Sequence, residues 1–166
     1  CVSKGGATRD GFTIRKKGQD MELSSASDRG VLYAAYDLLR RQQTGDLLSD
    51  GAVVTEMPSY DIRILNHWDN PDGTVERGYA GRSIWKWDEL PETVSPLYKE
   101  YARTNASVGI NAVVLNNVNA KPQMLSTGML RKVAVIADVL RPYGIRTYLS
   151  VNFASPKALG ELPTAD

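Results

Sequence analysis

"YDIRILNHWDNPDGTVERGYAGRSIW", residues 60–85, opens with the pattern of a buried strand and continues as a long loop. The loop holds the only histidine of the chain, two tryptophans, three carboxylates and two arginines. A nucleotide-binding sheet would carry a Gly-rich phosphate turn here, because backbone amides must approach the pyrophosphate closely. Side chains of this size prevent that approach. The stretch therefore favours an α/β fold whose first loop binds a ligand other than a nucleotide.

Two later segments repeat the strand pattern, "INAVVLNNV" (110–118) and "IRTYLSVNF" (145–153). A helix that starts at the Ser-Pro pair of Ser95 separates the first two strands, and a helix capped by Ser126 or Thr127 separates the next two. Strands joined through helices in this way are expected to pair in parallel. All three end in polar residues, at the edge where barrels and open α/β sheets have their active sites. A (β/α)₈ barrel with a carbohydrate-sized cleft fits best, since aromatic faces, amides and carboxylates bind sugars.

The N-terminal part of the chain has a different pattern. It predicts two short strands around Gly18, a helix that Ser27 caps and Gly45 ends, and a further extended segment. The apolar stripe of this helix is predicted at Val31, Leu32, Ala35, Leu38 and Leu39. We predict that residues 1–58 form the C-terminal part of an N-terminal α/β domain. Residues 59–166 are then the first three strands of an incomplete (β/α)₈ TIM barrel.

Composition excludes several classes of protein. The hydrophobic fraction of 42% is that of a globular chain, and its longest apolar stretches are far below a membrane span. The net charge of +1 does not suggest a nucleic-acid or membrane partner. One histidine and the single Cys1 cannot make a typical metal site, and the absence of both nucleotide-binding glycine motifs argues against a cofactor. The cellular compartment cannot be read from the sequence.

Three motifs together resemble the α-glucuronidases of glycoside hydrolase family 67. They are "NHWDN…ERGYAGRSIW", "YARTNASVGINAVVLNNVNA" and "IRTYLSVNFASP", and the resemblance runs from about Gly11 to Asp166. It implies an enzyme that removes glucuronic acid, or its 4-O-methyl ether, from the α-1,2 branch of xylo-oligosaccharides with inversion. It also implies an N-terminal α/β domain followed by a (β/α)₈ barrel, and a homodimer formed through a C-terminal region.

The same resemblance implies that the chain is an inactive fragment. The general acid of the family follows the fourth strand and the water-activating carboxylates come later, so no catalytic residue is expected before Asp166. The alternative is a non-catalytic carbohydrate-binding or interaction module. Further βα units after Asp166 would favour the enzyme, and an early stop codon would favour the module.

Five residues at strand ends are predicted to contact the substrate. The resemblance implies that Trp68 stacks on a sugar ring and that Val118 forms an apolar wall near the 4-position. Asn66 and Asn117 can hydrogen-bond sugar hydroxyls, although Asn is also common in turns. Asp69 is the fifth, and without the resemblance it would be the choice for the general acid.

Three further residues are predicted to support the site. A free imidazole titrates near neutrality, so an acid or base role is one interpretation of His67, but the resemblance implies carboxylate catalysis and a supporting, hydrogen-bonded histidine. Arg77 and Arg82 are predicted to pair with the loop carboxylates and so to hold the loop in one conformation. Either arginine could instead reach the substrate carboxylate. Those loop carboxylates are Asp69, Asp72 and Glu76.

Overall fold

The computed structural model describes residues 10–160, which divide into two compact units. Unit 1 contains the chain up to Arg63 together with Arg103–Asn111, and unit 2 contains Ile64–Ala102 and the chain from Ala112 onward. Each unit combines strands and helices, so the predicted α/β class is confirmed. The units separate after Arg63 and not after residue 58, and the domain assignment 1–58 and 59–166 stays a prediction.

Unit 1 contains an antiparallel sheet and one long helix. Its elements are β1 (Phe12–Lys17), β2 (Asp20–Ser25), α1 (Asp28–Thr44) and β3 (Val53–Glu56). The sheet order is β2-β1-β3, and the predicted hairpin around Gly18 is confirmed. Both predicted helix caps are also confirmed. Ser27 Oγ accepts the Gly30 amide at 3.1 Å, and Gly45 follows the helix with a φ of 76°.

The buried face of α1 differs from the predicted apolar stripe. Leu39 is 51% exposed, and the buried residues are Gly30, Tyr33, Ala34 and Asp37. A Cβ at position 30 would stand 1.9 Å from Ser25 Oγ, so the glycine permits a close approach of helix and strand. Asp37 is buried because Arg40 and Arg41 pair with its two oxygens. Close backbone packing and ion pairing, not hydrophobicity alone, therefore select this face.

A buried carboxylate connects distant parts of unit 1. Asp10 Oδ1 pairs with Arg29 at 2.9 Å, and its Oδ2 accepts from Arg63 Nη2 at 2.8 Å and Asn111 Nδ2 at 3.1 Å. The Asn111 amide also donates to the Asp61 carbonyl and accepts the Arg63 backbone N–H. Burial tends to raise the pKa of Asp10, but the bonds from Arg63, Asn111 and Arg29 outweigh it and hold that pKa below its usual value.

Unit 2 is built on a parallel sheet. Its strands are β4 (Ile64–Asn66), β5 (Ala112–Val114) and β6 (Arg146–Tyr148), and they pair in the order β4-β5-β6. Three helices follow the strands along the chain: α2 (Pro96–Ser107), whose residues from Arg103 onward belong to unit 1, α3 (Thr127–Leu140) and α4 (Ser155–Gly160). Short 3₁₀ turns cover Pro122–Leu125 and Arg141–Tyr143. The predicted parallel pairing and the Ser126 cap of α3 are confirmed.

The core of unit 2 lies between its helices and the central strand. It consists of Trp85, Trp87, Leu90, Tyr98, Ala102, Val113, Leu115, Met124, Ile136, Leu140 and Ile145. Trp85 and Trp87, which follow β4 in a long loop, thus belong to this core. The prediction that β4 is a buried strand is wrong, since Ile64 is 42% and Leu65 37% exposed. In the described part of the chain β4 has a neighbour on one side only.

Candidate functional site

Two loops follow the first two strands of unit 2. We call residues 67–95 the first loop and residues 115–126 the second loop. The parallel register continues past the strands, because the His67 amide donates to the Val114 carbonyl at 3.0 Å. The Asn117 amide then donates to the Asp69 carbonyl at 2.8 Å. The two loops therefore start from a common hydrogen-bonded platform at the carboxyl edge of the sheet.

Asn116 extends this platform to the third strand. Its side-chain amide donates to the Ser150 carbonyl at 2.9 Å and accepts the Ser150 N–H at 2.9 Å. Asn116 is buried, so it fixes the two strand ends relative to each other. The side chain acts as a cross-link between the ends of β5 and β6.

Trp68 and Val118 flank the Asp69–Asn117 bond and remain accessible. Trp68 directly precedes Asp69 and is 40% exposed, while Val118 directly follows Asn117 and is 46% exposed. Asn66, the last residue of β4, is exposed as well. The accessible indole of Trp68, the apolar side chain of Val118 and the exposed side-chain amide of Asn66 thus lie on neighbouring strand ends. These three predicted contact residues are placed where a ligand could reach them.

Asp69 and Asn117 have a different environment, and direct contact with a substrate does not fit it. Asp69 is 4% exposed, and its Oδ2 accepts the Ser83 hydroxyl at 2.5 Å. The Asn117 side chain donates to the Glu76 carbonyl at 3.3 Å and accepts the Asn119 amide at 2.9 Å. The side chains of both predicted contact residues therefore hydrogen-bond to other residues of the protein, and these bonds connect the first loop to the strand ends.

His67, the first residue of the first loop, packs in a cluster of aromatic rings. Its Nε2 is 2.7 Å from the Tyr101 hydroxyl, and its Nδ1 is 3.5 Å from Asp69 Oδ1. The Trp85 ring centroid is 5.3 Å away. Burial, and then the charge of Asp69, raise the pKa of Tyr101 to about 12, so this phenol keeps its proton. Both ring nitrogens of His67 therefore have a polar neighbour, the Tyr101 hydroxyl on one side and the Asp69 carboxylate on the other. This geometry is that of a supporting histidine.

The predicted ion pairs of Arg77 and Arg82 are absent from residues 10–160. Both arginines are exposed, and neither pairs with a carboxylate of the first loop there. Asp72 instead accepts the Thr74 amide at 2.9 Å and its hydroxyl at 2.6 Å, and these bonds lower the Asp72 pKa. Short turns built on side-chain-to-backbone bonds thus organise the loop, which leaves the two guanidinium groups at the surface.

Glu76 was predicted from the sequence only as a loop carboxylate that pairs with an arginine, and its backbone has a further role in the structure. Its φ of 58° is left-handed, a conformation that only a few per cent of non-glycine residues adopt. Its amide donates to the Trp68 carbonyl at 2.8 Å, and its own carbonyl accepts the Asn70 side chain at 2.9 Å as well as that of Asn117. The first loop is therefore folded back onto both strand ends at this residue. No local sequence pattern marks a glutamate for that conformation.

Between residues 10 and 160, no group of three or more His, Cys, Asp or Glu side chains could hold a metal ion. Within the same range, no helix combines the length and the apolar character needed to cross a membrane. Cys1 lies outside the described residues.

Parallel βα units with accessible aromatic and amide groups at the strand ends define an α/β protein with a candidate ligand site at that edge. Comparison with protein families makes the class specific. Residues 42–166 match the model described as the glycosyl hydrolase family 67 middle domain. The chain belongs to glycoside hydrolase family 67.

Curated relatives agree with this assignment. The chain is 45% identical over 158 residues to a "Probable alpha-glucuronidase A" of Neosartorya fischeri, which covers 95% of this chain and 18% of the relative. It is 42% identical over 162 residues to "Alpha-glucuronidase A" of Emericella nidulans, with 95% and 19% covered. The chain thus spans less than a fifth of the length of these relatives.

Two solved structures share the fold at low identity. An enzyme of family GH138 "targeting pectin rhamnogalacturonan II" has a TM-score of 0.57 at 13% identity and covers 87% of this chain and 19% of its own. A beta-N-acetylhexosaminidase has a TM-score of 0.55 at 16% identity, with 89% and 34% covered. At these identities the likeness concerns the fold alone.

Proposed function

We propose that the complete protein is an α-glucuronidase. It hydrolyses the α-1,2 bond between glucuronic acid, or its 4-O-methyl ether, and a xylo-oligosaccharide derived from xylan, with inversion. The proposal rests on family membership, on relatives that carry the name alpha-glucuronidase and on the resemblance of the strand-end motifs. On the same grounds, the sheet of unit 2 forms the first three strands of a (β/α)₈ barrel, and the protein dimerises through a region C-terminal to Asp166.

The observation that carries the proposal is the exposed pair Trp68 and Val118 on neighbouring strand ends. An indole face binds the C–H face of a pyranose ring, and an apolar side chain suits an O-methyl group. Asn66 supplies donor and acceptor atoms for hydroxyl groups beside them. A sugar with one methylated position matches this combination of surfaces.

The buried residues of the platform have a separate role in this proposal. Asp69 follows Trp68, and Asn117 precedes Val118. The 2.8 Å hydrogen bond from the Asn117 amide to the Asp69 carbonyl, together with the side-chain hydrogen bonds of both residues, holds the backbone next to the exposed pair. His67 extends this network through its hydrogen bond with the Tyr101 hydroxyl. Together they fix the direction of Trp68 and Val118, which limits the entropy lost when a sugar binds.

We assign the general acid and the general base of the reaction to residues outside this sequence. Inversion requires an acid and a base on opposite faces of the sugar, with carboxyl groups roughly 6.5–9.5 Å apart. In the first loop, Asp69 is buried against Ser83 and Asp72 is bound by Thr74. Glu76 accepts from the Tyr79 hydroxyl at 3.4 Å. These carboxylates organise the loop, and we expect the acid and the base to follow Asp166, as in the family.

The test uses the complete protein and 4-O-methyl-glucuronosyl xylotriose. We expect release of 4-O-methyl-glucuronic acid, with the β-anomer appearing first in proton NMR spectra because the reaction inverts. The 166-residue chain alone should release none. Initial formation of the α-anomer would refute inversion, and binding without any release would favour the carbohydrate-binding alternative. Turnover by the 166-residue chain would place a catalytic carboxylate in the first loop.

A further inference from the structure

Ser83 makes three hydrogen bonds that join separate parts of the first loop. Its hydroxyl donates to Asp69 Oδ2 at 2.5 Å and accepts the Trp85 amide at 3.0 Å. Its own amide donates to the Gly73 carbonyl at 3.0 Å. The side chain is partly exposed, and its hydroxyl acts as donor and acceptor at once. One serine thus connects the beginning, the middle and the end of the segment 69–85.

The bond to Asp69 is the shortest of the three. Asp69 is 4% exposed, and burial of a carboxylate is unfavourable unless hydrogen-bond donors replace the water that it loses. A separation of 2.5 Å is typical of a hydroxyl that donates to a carboxylate. His67 Nδ1 is more distant, at 3.5 Å from Asp69 Oδ1. Removal of the Ser83 hydroxyl therefore leaves Asp69 Oδ2 without this close donor.

Trp85 fixes the other side of the Ser83 hydroxyl to the core of unit 2. The Trp85 side chain is 1% exposed, and its ring centroid lies 5.3 Å from those of Tyr98 and Tyr101. A ring packed on all sides in this way has little freedom to move. Because the amide of Trp85 donates to Ser83 Oγ, the hydroxyl is held in place from the core.

The direction of Asp69 determines the direction of Trp68. Asp69 pairs with Val75 in an antiparallel bridge, so the backbone is extended at this point. In an extended chain, successive side chains point to opposite sides. The side chains of residues 66–69 alternate accordingly between exposed and covered. When the Asp69 carboxylate turns inward to Ser83, the indole of Trp68 must therefore turn outward, where it is 40% exposed.

We propose that Ser83 is a positioning residue for Trp68 in the complete protein. The inference rests on the proposed function, in which the Trp68 indole stacks on a sugar ring. Ser83 does not touch the substrate in this role. It keeps Asp69 turned toward the protein interior, and the extended backbone then keeps the indole turned toward the ligand. Without the Ser83 hydroxyl, Asp69 turns toward water and the indole loses its single direction.

The first test measures kcat/KM of the complete protein on 4-O-methyl-glucuronosyl xylotriose. We expect Ser83→Ala to lower it about tenfold, because misplacement of a binding group by a fraction of an ångström weakens transition-state binding. Ser83→Thr keeps the hydroxyl and should retain most of the activity. Ser95→Ala is the matched control, since Ser95 lies in the same loop and its hydroxyl accepts the Leu97 amide at 3.3 Å. Equal losses in Ser83→Ala and in either Ser83→Thr or Ser95→Ala would overturn the positioning role.

A double-mutant cycle determines whether Ser83 acts through Trp68. In the Trp68→Ala background, Ser83→Ala should change kcat/KM by less than about twofold, since the indole that Ser83 positions is already absent. A serine that only stabilises the fold would lower kcat/KM by the same factor in both backgrounds. That outcome would contradict the proposal. If Ser83→Ala does not fold, Ser83→Cys, which keeps the size of the side chain but donates weakly, replaces it in all measurements.

The last test needs no turnover. The complete protein is labelled with 5-fluorotryptophan, and the Trp68 resonance is identified by its loss in a Trp68→Phe variant. We expect one sharp fluorine resonance for Trp68 in the wild type and in Ser83→Thr, and a broadened or divided one in Ser83→Ala. An unaltered Trp68 resonance in Ser83→Ala would overturn the positioning role. If the wild type cleaves no glucuronosyl substrate, the proposed function fails, and the fluorine spectra alone then decide whether Ser83 positions Trp68.

Discussion

The two compact units use charged side chains in opposite ways. Unit 1 buries Asp10 and Asp37 and surrounds them with arginines. Unit 2 packs its core from aromatic and aliphatic side chains and gathers its polar groups at the strand ends. The contrast indicates that charge in unit 1 maintains structure, and we expect the exposed polar groups of unit 2 to shape the proposed binding surface. Substitutions in unit 1 should therefore change stability, and those at the exposed strand ends of unit 2 should change activity.

The largest expected effect is on the stability of unit 1. Asp10→Ala leaves Arg29 and Arg63 without their buried partner, so the local free energy of opening should fall by about 3–5 kcal/mol. Hydrogen exchange of the backbone amides in β1 and β2 measures this directly in the complete protein. Asp20→Ala, at the exposed first residue of β2, is the control and should change it by less than about 0.5 kcal/mol. Similar losses in both variants would contradict the assignment.

The next effect concerns Trp68 and should leave stability nearly unchanged. Trp68→Ala removes an exposed stacking face, and we expect transition-state binding to weaken by roughly 2–4 kcal/mol. That corresponds to a fall of about 30- to 1,000-fold in kcat/KM on glucuronosyl xylo-oligosaccharides. Steady-state kinetics with a folded variant check it. Wild-type kcat/KM would show that Trp68 does not contact the substrate.

A smaller effect is expected at Val118, on specificity alone. Val118→Asn places a polar side chain where the proposal has a methyl group. We expect the ratio of kcat/KM for 4-O-methyl-glucuronic over glucuronic substrates to fall by roughly tenfold, the usual scale for one methyl contact. Competition between the two substrates in one reaction measures this ratio directly. An unchanged ratio would mean that Val118 serves packing only.

The smallest effect is a pH dependence of unit 1. Because the folded pKa of Asp10 lies below its ordinary value, its ionised form stabilises the fold above about pH 4. This contribution is lost as the pH falls through the folded pKa. The stability difference between wild type and Asp10→Asn should therefore shrink when hydrogen exchange is followed from pH 6 to pH 3. A difference that stays constant over this range would exclude Asp10 as its source.

The sequence predicted the local features of both units well. The caps at Ser27, Gly45 and Ser126 and the parallel pairing through helices follow from side-chain chemistry within a few residues and from chain connectivity. What it missed depends on distant neighbours. The exposure of β4, the buried face of α1 and the missing arginine pairs are set by which elements pack together.

Within the candidate site, the sequence likewise does not predict the features that depend on residues distant in the chain. Trp68 and Asp69 are adjacent, and both are polar or aromatic residues in one loop, yet one is accessible and the other is buried. The difference arises because the hydroxyl of Ser83, 14 residues later in the loop, donates a hydrogen bond to the Asp69 carboxylate. The left-handed backbone of Glu76 likewise depends on contacts with Asn70 and Asn117. The substrate contacts proposed for Trp68, Val118 and Asn66 stay predictions.

Asn111 has a consequence for the order in which the chain folds. The β1–β2 hairpin can close within microseconds once its residues are free, since its strands are adjacent in sequence. Asp10, however, obtains its amide partner only from a residue 101 positions later. During synthesis Asp10 therefore stays incompletely paired until the ribosome has released Asn111, even if the adjacent hairpin has already formed. We expect the nascent segment around Asp10 to stay protease-sensitive until that point, and then to become resistant.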